Sequence, residues 1–320
     1  MNKYIFKTYL FLPIFFLFFG CSSHKLNTNK RCHYTNLILN SKNNFCSSAS
    51  KTVTYKSDLF INFNNGDTTQ WNINNNKFIK SFNINSISKA IAIDKKYIFT
   101  GSNNMSIYKY NFNSSLIEKK NYSKGSIFYL TSFKNYLYVA FGDSELGIVD
   151  KDTLKLLKSY KEHDYLIFTI CLDQDNGYLY TGSDDNSIIK WKIIENNLIK
   201  KVKKINEFHS SVRNILKIKE HFIVTTADGN LFLYDNKFEN KLDVTNKNHT
   251  KITAILSKNN YIYTGDIKGN INIYKIKNNS LQLINYFKLK SLIRGISYNE
   301  QNSIIFITKE GYILSIKALK

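Results

Sequence analysis

One short phrase recurs along this chain at a nearly fixed interval. Residues 97–101 read YIFTG, residues 178–182 read YLYTG and residues 261–265 read YIYTG, while residues 136–140 (YLYVA) are a near copy. Each phrase is followed by a polar turn and an apolar strand that ends in a large residue. Aligning those strand ends gives a column: Trp71, Tyr110, Val149, Trp191, Tyr234, Tyr274 and Ile316. The successive gaps are 39, 39, 42, 43, 40 and 42 residues.

Short strands repeating with a period of about 40–45 residues specify a β-propeller with one four-stranded blade per repeat. Seven copies predict an all-β, seven-bladed propeller of antiparallel blades. Each unit reads as three strands up to the column and then a looser fourth, such as residues 78–82, 154–160 or 281–287. After Ile316 only four residues remain, so the last blade needs a strand from elsewhere. Residues 34–40 (YTNLILN) are the candidate, because an unpaired sheet edge is a liability. The propeller is thus expected over residues 34–320, as a monomer.

The first twenty residues do not fit that repeat. Lys3 and Lys7 precede an apolar run of about eleven residues, too short for a membrane-spanning helix, which needs about 20. Residues 1–20 therefore read as a secretory signal. The stretch LFFGC at residues 17–21 resembles the processing site of bacterial lipoproteins. That resemblance implies a diacylated Cys21 at the mature N-terminus, residues 21–33 as a tether, and lipid anchoring in a bacterial cell envelope, at the outer membrane or cell surface. An ordinary signal peptide and a secreted protein is the alternative. Export permits a Cys32–Cys46 disulfide, which sequence alone does not establish. Cys171 lies in an alternating apolar strand and reads as a small core residue.

The formal charge of +21 suggests nucleic acid, but the positive charge is nearly all Lys, with Arg only at 31, 213 and 294. Lys spread over every repeat describes a solvated surface rather than a stripe that tracks phosphates, so no specific nucleic-acid partner is expected. No Walker loop, zinc-protease motif, nucleophile elbow or dinucleotide fingerprint occurs, and no cofactor is implied. Residues 173–177 (DQDNG) lack the remaining calcium ligands and read as a hairpin turn.

The best-formed unit runs from His163 through YLYTG and the turn SDDN to Trp191. Its text GSDDNSIIKW resembles the WD-repeat family. Two further units share the layout, His209 to Tyr234 and His249 to Tyr274. The resemblance implies a buried hydrogen-bonded tetrad of His163, Thr181, Asp185 and Trp191. It implies a second of His209, Thr225, Asp228 and Tyr234. In the third unit His249 and Thr264 are present but Lys268 occupies the Asp position, and the early units place Asn65 and Asn104 there without a matching His.

The family resemblance also implies a non-catalytic platform that binds another protein on its loop-rich face. There the start of each innermost strand reads Ser88, Phe128, Phe168, Arg213, Thr253 and Arg294. Phe128, Phe168, Arg213 and Arg294 are the candidate partner-binding residues, since aromatic and Arg side chains anchor interfaces. Packing between blades and local ion pairing is the competing role for them. An exported enzyme or small-ligand binder that uses the central channel is the alternative function. It calls for convergent carboxylates, His or metal ligands at these same positions.

Overall fold

The computed structural model describes residues 47–75, 77–195, 198–246, 249–299, 301–310 and 313–319. The expected signal segment, Cys21 with its tether, Cys32, Cys46 and the closing strand at 34–40 lie outside them.

Seven antiparallel sheets follow one another along the chain, at residues 49–83, 88–121, 127–160, 167–205, 212–245, 252–288 and 293–317. We number them blades 1–7. The first six have four strands in sequential order, and blade 7 has three among the described residues. The first strands pack against one another in cyclic order, and that of blade 7, Ile293–Tyr298, meets that of blade 1, Ala49–Tyr55. Blade 1 is held to blade 7 by the Ala49 N–H, which donates to the Lys309 carbonyl at 3.0 Å. The ring is a seven-bladed propeller with the first strands lining its axis.

Local sequence explains the layering. In all seven second strands every residue after the first is buried, because each sheet is sandwiched between neighbours. Outer strands are the most exposed; that of blade 1, Lys77–Asn83, alternates with every second residue exposed, and that of blade 2, Leu116–Asn121, is exposed at all but one residue. Every column residue lies on a third strand opposite a buried apolar partner, for example Leu59 with Trp71, Leu179 with Trp191 and Ile304 with Ile316. In all six four-stranded blades the ladder to the outer strand slips by one residue at that column. A bulge there increases local twist and turns the outer strand away.

Among the described residues the core falls into seven clusters, one per interface between blades. Trp191, for instance, packs with Tyr138, Ile148 and Ile167 across blades 3 and 4, and Trp71 packs with Ile305 and Ile307 across blades 1 and 7. The glycine of the repeated phrase belongs to these interfaces. A Cβ on Gly182 would lie 2.5 Å from Cγ1 of Val212 in the next blade, and one on Gly265 would lie 2.5 Å from Cγ2 of Ile293. Removing that side chain lets the neighbouring inner strand press onto the sheet. Gly182→Ala should therefore cost about 1–3 kcal/mol through overpacking. Chemical denaturation checks this, and an unchanged midpoint would mean that the blades can part freely.

Cys171 is buried, and desolvation pushes its thiol up to about 12, with a nearby Asp173 charge acting the same way. It is an inert core residue, not a nucleophile. The DQDNG segment forms a turn between the strands Ile167–Asp173 and Tyr178–Ser183, with Gly177 in the left-handed region at φ 67°.

Candidate binding face

The tetrad of blade 4 comes together as a continuous relay. The Trp191 indole N–H donates to Thr181 Oγ1 at 3.0 Å, Thr181 Oγ1 lies 2.8 Å from His163 Nε2, and His163 Nδ1 lies 2.9 Å from Asp185 Oδ2. These partners place the ring proton on Nδ1, so that Nε2 accepts from the Thr181 hydroxyl. Ser187 Oγ donates to Asp185 Oδ1 at 2.5 Å, and the Asp164 N–H donates to Oδ2 at 3.1 Å. Burial alone would raise the Asp185 carboxyl. The bonds from His163 and Ser187 outweigh it and hold the group well below the ordinary carboxylate range. The His163 side chain has no exposed surface and that of Asp185 is 4% exposed. A His–hydroxyl–carboxylate set sealed in this way ties loop, turn and strand together and offers no substrate a path to the hydroxyl.

The tetrad expected in blade 5 does not form, because two of its members are each one residue out of register. Five residues before the bulge in the inner strand lies His163 in blade 4 but Phe208 in blade 5. Phe208 is buried, its ring edge-on to Phe232 at 5.3 Å, while His209 is exposed. On the second strand Val224 occupies the Thr181 position. Thr225 instead matches Gly182 and accepts from the Asn214 side chain at 2.8 Å. Tyr234 carries its polar group at the far end of the ring and donates to Glu207 Oε1 at 2.8 Å. Asp228 accepts from Thr226 Oγ1 at 2.5 Å, a bond within its own turn.

In blade 6 His249 is also exposed. Asp266, two residues before Lys268, serves the turn by accepting N–H groups of Lys268 and Asn270 at 2.8 Å and the Thr250 hydroxyl. Blade 1 satisfies its indole differently, with Trp71 Nε1 donating to Thr69 on its own strand at 2.7 Å.

The loop face carries a feature of all seven blades. Each inner strand begins with a one-residue bulge, and the bulged residues are Ser50, Lys89, Phe128, Phe168, Arg213, Thr253 and Arg294. Bulges re-aim a side chain out of the alternating pattern. They set seven side chains around the mouth of the axial channel, each partly buried. Ser88, expected in this ring, is one residue off. It is buried, it precedes the bulge, and its carbonyl accepts from Ser50 Oγ at 2.5 Å. Lys89 takes the ring position in blade 2, and Ser50 adds the member from blade 1. Only the blade 7 bulge adjoins a glycine, Gly295, so it is the recurrence of the slip that reveals them.

Four successive blades link into a ladder. Lys89 Nζ lies 4.5 Å from the Phe128 ring centroid, and Phe128 and Phe168 meet edge-to-face at 6.0 Å and 84°. The Arg213 guanidinium carbon lies 3.8 Å over Phe168. Each cation–π contact contributes about 0.5–2 kcal/mol and holds a cation on the rim without neutralising it. Arg213 also bonds Asp184 Oδ1 at 3.1 Å. Of the expected interface residues, Phe128, Phe168 and Arg213 both pack on one another and face the mouth, while Arg294 joins the ring at its own bulge without entering the ladder. One step further in, Lys51 Nζ lies 4.5 Å from the Tyr129 ring. Desolvation lowers Lys51 from 10.5 to about 8. Among the described residues, no group of three or more His, Cys, Asp or Glu is placed to hold a metal ion.

Comparisons with known proteins agree with this geometry. The family model "WD domain, G-beta repeat" matches residues 154–192, the unit that carries the complete relay. The WD repeat-containing protein 55 homolog of Dictyostelium discoideum is 26% identical over 146 residues, which is 45% of this chain. The match spans 35% of that relative's length. Among solved structures, the WD40 β-propeller domain of Doa1 superposes with a TM-score of 0.73 at 16% identity, over 90% of this chain and 98% of that one. U3-55K superposes with a TM-score of 0.72 at 14% identity, over 82% and 89%. The solved structures show the shared fold, and the family match together with the Dictyostelium relative supports a WD-repeat propeller.

Proposed function

We propose that this chain is a non-catalytic protein-interaction scaffold, tethered to a bacterial cell envelope by lipid on Cys21, whose loop face binds another protein. The observation that carries the binding part is the bulge-aimed ring, with its ladder from Lys89 through Phe128 and Phe168 to Arg213. WD-repeat propellers generally act by binding other proteins, and an aromatic–arginine cluster at a rim is the composition of an interface anchor. A channel enzyme would require convergent acids, bases or metal ligands at the ring. Those positions carry Ser50, Lys89, Phe128, Phe168, Arg213, Thr253 and Arg294. The tether rests on the sequence alone, and firm anchoring by acyl chains requires at least two signals, such as a doubly acylated cysteine.

Two measurements test this reading. A photo-crosslinking residue placed at Phe168 should give a discrete adduct in intact cells, whereas one at the exposed Val202 on an outer strand should not. Adducts from Val202 alone would move the binding surface away from the ring. Wild-type protein should enter the detergent phase on partitioning, and Cys21→Ser should stay in the aqueous phase or keep its signal. A Cys21→Ser chain that is processed and partitions like wild type removes the lipid anchor.

A further inference from the structure

We propose that the channel mouth on the loop face holds a carboxylate-rich segment of the partner, an acidic peptide lying across Arg213, Lys251 and Arg294 and flanked by Lys89 and Lys51. The inference rests on the reading of that face as a protein interface and names the chemistry of what it binds.

The mouth gathers more positive charge than it neutralises. Arg213, Lys251 and Arg294 come from adjacent blades 5, 6 and 7, and both arginines sit close enough to Lys251 to act on it. Burial first, and then the Arg213 and Arg294 charges, depress the Lys251 ammonium, with only Asp184 acting the other way. Burial likewise works against the Arg294 charge, with Glu310 the carboxylate that opposes it. Glu310 also accepts from Ser291, and Asp184 accepts from Ser211 besides Arg213. The Nε atoms of Arg213 and Arg294 are both buried without a hydrogen-bond partner. The rim at blade 3 differs, because Lys124 is matched there by Glu145 at 2.7 Å and Asp143 at 3.4 Å.

Holding like charges together in a partly desolvated ring opposes folding unless something else gains from it. An anionic ligand gains, because desolvated charge pairs and charge-assisted hydrogen bonds are the strong ones. The arrangement favours a chain over a small anion. The cations come from five different blades, with Lys89 on blade 2 leaning toward Phe128 and Arg213 on blade 5 leaning toward Phe168. A single phosphate cannot reach across the intervening blades, whereas a peptide with several carboxylates can. The Phe128–Phe168 pair gives such a peptide an apolar surface between its charged ends.

Fluorescence anisotropy with the full chain and a labelled deca-glutamate peptide tests this directly. Wild type should bind that peptide and ignore its all-Gln counterpart. Arg213→Gln and Arg294→Gln should each weaken binding about tenfold or more, the usual scale for a charge-assisted contact, while lowering the melting temperature by no more than the few degrees that one lost cation–π contact is worth. The paired change Lys200→Gln plus Lys203→Gln, on the exposed outer strand of blade 4, should leave affinity within about twofold and so controls for the overall charge of +21. Equal losses from the outer-strand pair and the Arg variants, or no binding at all, would overturn the proposal. So would displacement of the peptide by tripolyphosphate at equal charge concentration, which would indicate a small-anion site. A Phe168 adduct that deca-glutamate does not compete away would leave the interface standing and refute its acidic ligand.

Discussion

Trp191→Ala should be the most damaging single substitution in this propeller, lowering unfolding free energy by about 3–5 kcal/mol for the buried side chain and its cavity. Nearly all of its surface is buried, between Tyr138 and Ile148 of blade 3 and Leu179 and Ile189 of blade 4, with Tyr160 edge-on at 5.6 Å. Loss of the indole also removes the Nε1 bond to Thr181 at the head of the relay to Asp185. Trp191→Phe keeps most of the apolar area and should cost about 1–3 kcal/mol, chiefly for that donor. Trp71 is then the remaining tryptophan and sits at the junction of blades 1 and 7, on the other side of the ring. Its fluorescence should shift to a lower denaturant midpoint together with the backbone signal, since blades in a closed ring support one another. An unchanged midpoint would contradict the placement of Trp191 in the inter-blade core. Lys268 provides the contrast: it is exposed and serves its turn through its backbone N–H, so its substitution should stay within about ±0.5 kcal/mol.

The blades were legible because their signal is local and periodic. Trp71, Tyr110, Trp191, Tyr234 and Tyr274 occupy the same rung of their sheets, and the glycine of YLYTG is required wherever the next blade presses directly onto it. The ring at the channel mouth was legible in five of its members and misplaced at Ser88. A bulge adds one residue to a strand, and nothing in the composition of Ser88-Lys89 says which of the two is extruded. The same one-residue ambiguity misassigned His209 and Thr225. From Phe168 to Arg213 is 45 residues, against 39–41 for the other neighbouring pairs from Lys89 onward, so the loop before blade 5 can offer either Phe208 or His209 to the pocket. Burial decides it. Phe208 fills an aromatic pocket with Phe232 and Phe238 that an imidazole would enter only with its polar atoms unpartnered. Lys51 was not legible at all, since its environment is created by Tyr129, 78 residues away and two blades distant.

Lys51 supplies the second large effect, of opposite sign. Its ammonium lies inside the channel mouth against an aromatic ring, and burial lowers it from 10.5 to about 8. Below pH 8 both the folded and the unfolded chain keep the proton, and the folded chain bears the full cost of a desolvated charge. Between pH 8 and 10.5 the unfolded chain still holds a proton that the folded chain has released, so this group's contribution to stability rises with pH across that window. A shift of this size corresponds to about 3 kcal/mol at 1.36 kcal/mol per unit. The cation–π contact with Tyr129, about 0.5–2 kcal/mol, is lost with the charge and offsets part of the gain. Lys51→Met should therefore stabilise the folded chain by about 1–2 kcal/mol at pH 7, and the advantage should shrink by half or more by pH 9.5. Denaturant midpoints of the two proteins at pH 7, 8.5 and 9.5 check this. A variant less stable than wild type at pH 7, or a gain that persists at pH 9.5, would show that channel water solvates the ammonium. If the gain appears, and the same variant binds acidic peptide more weakly, the chain is retaining at Lys51 a charge that works against folding and for binding, which is the relation expected of a residue placed for a ligand.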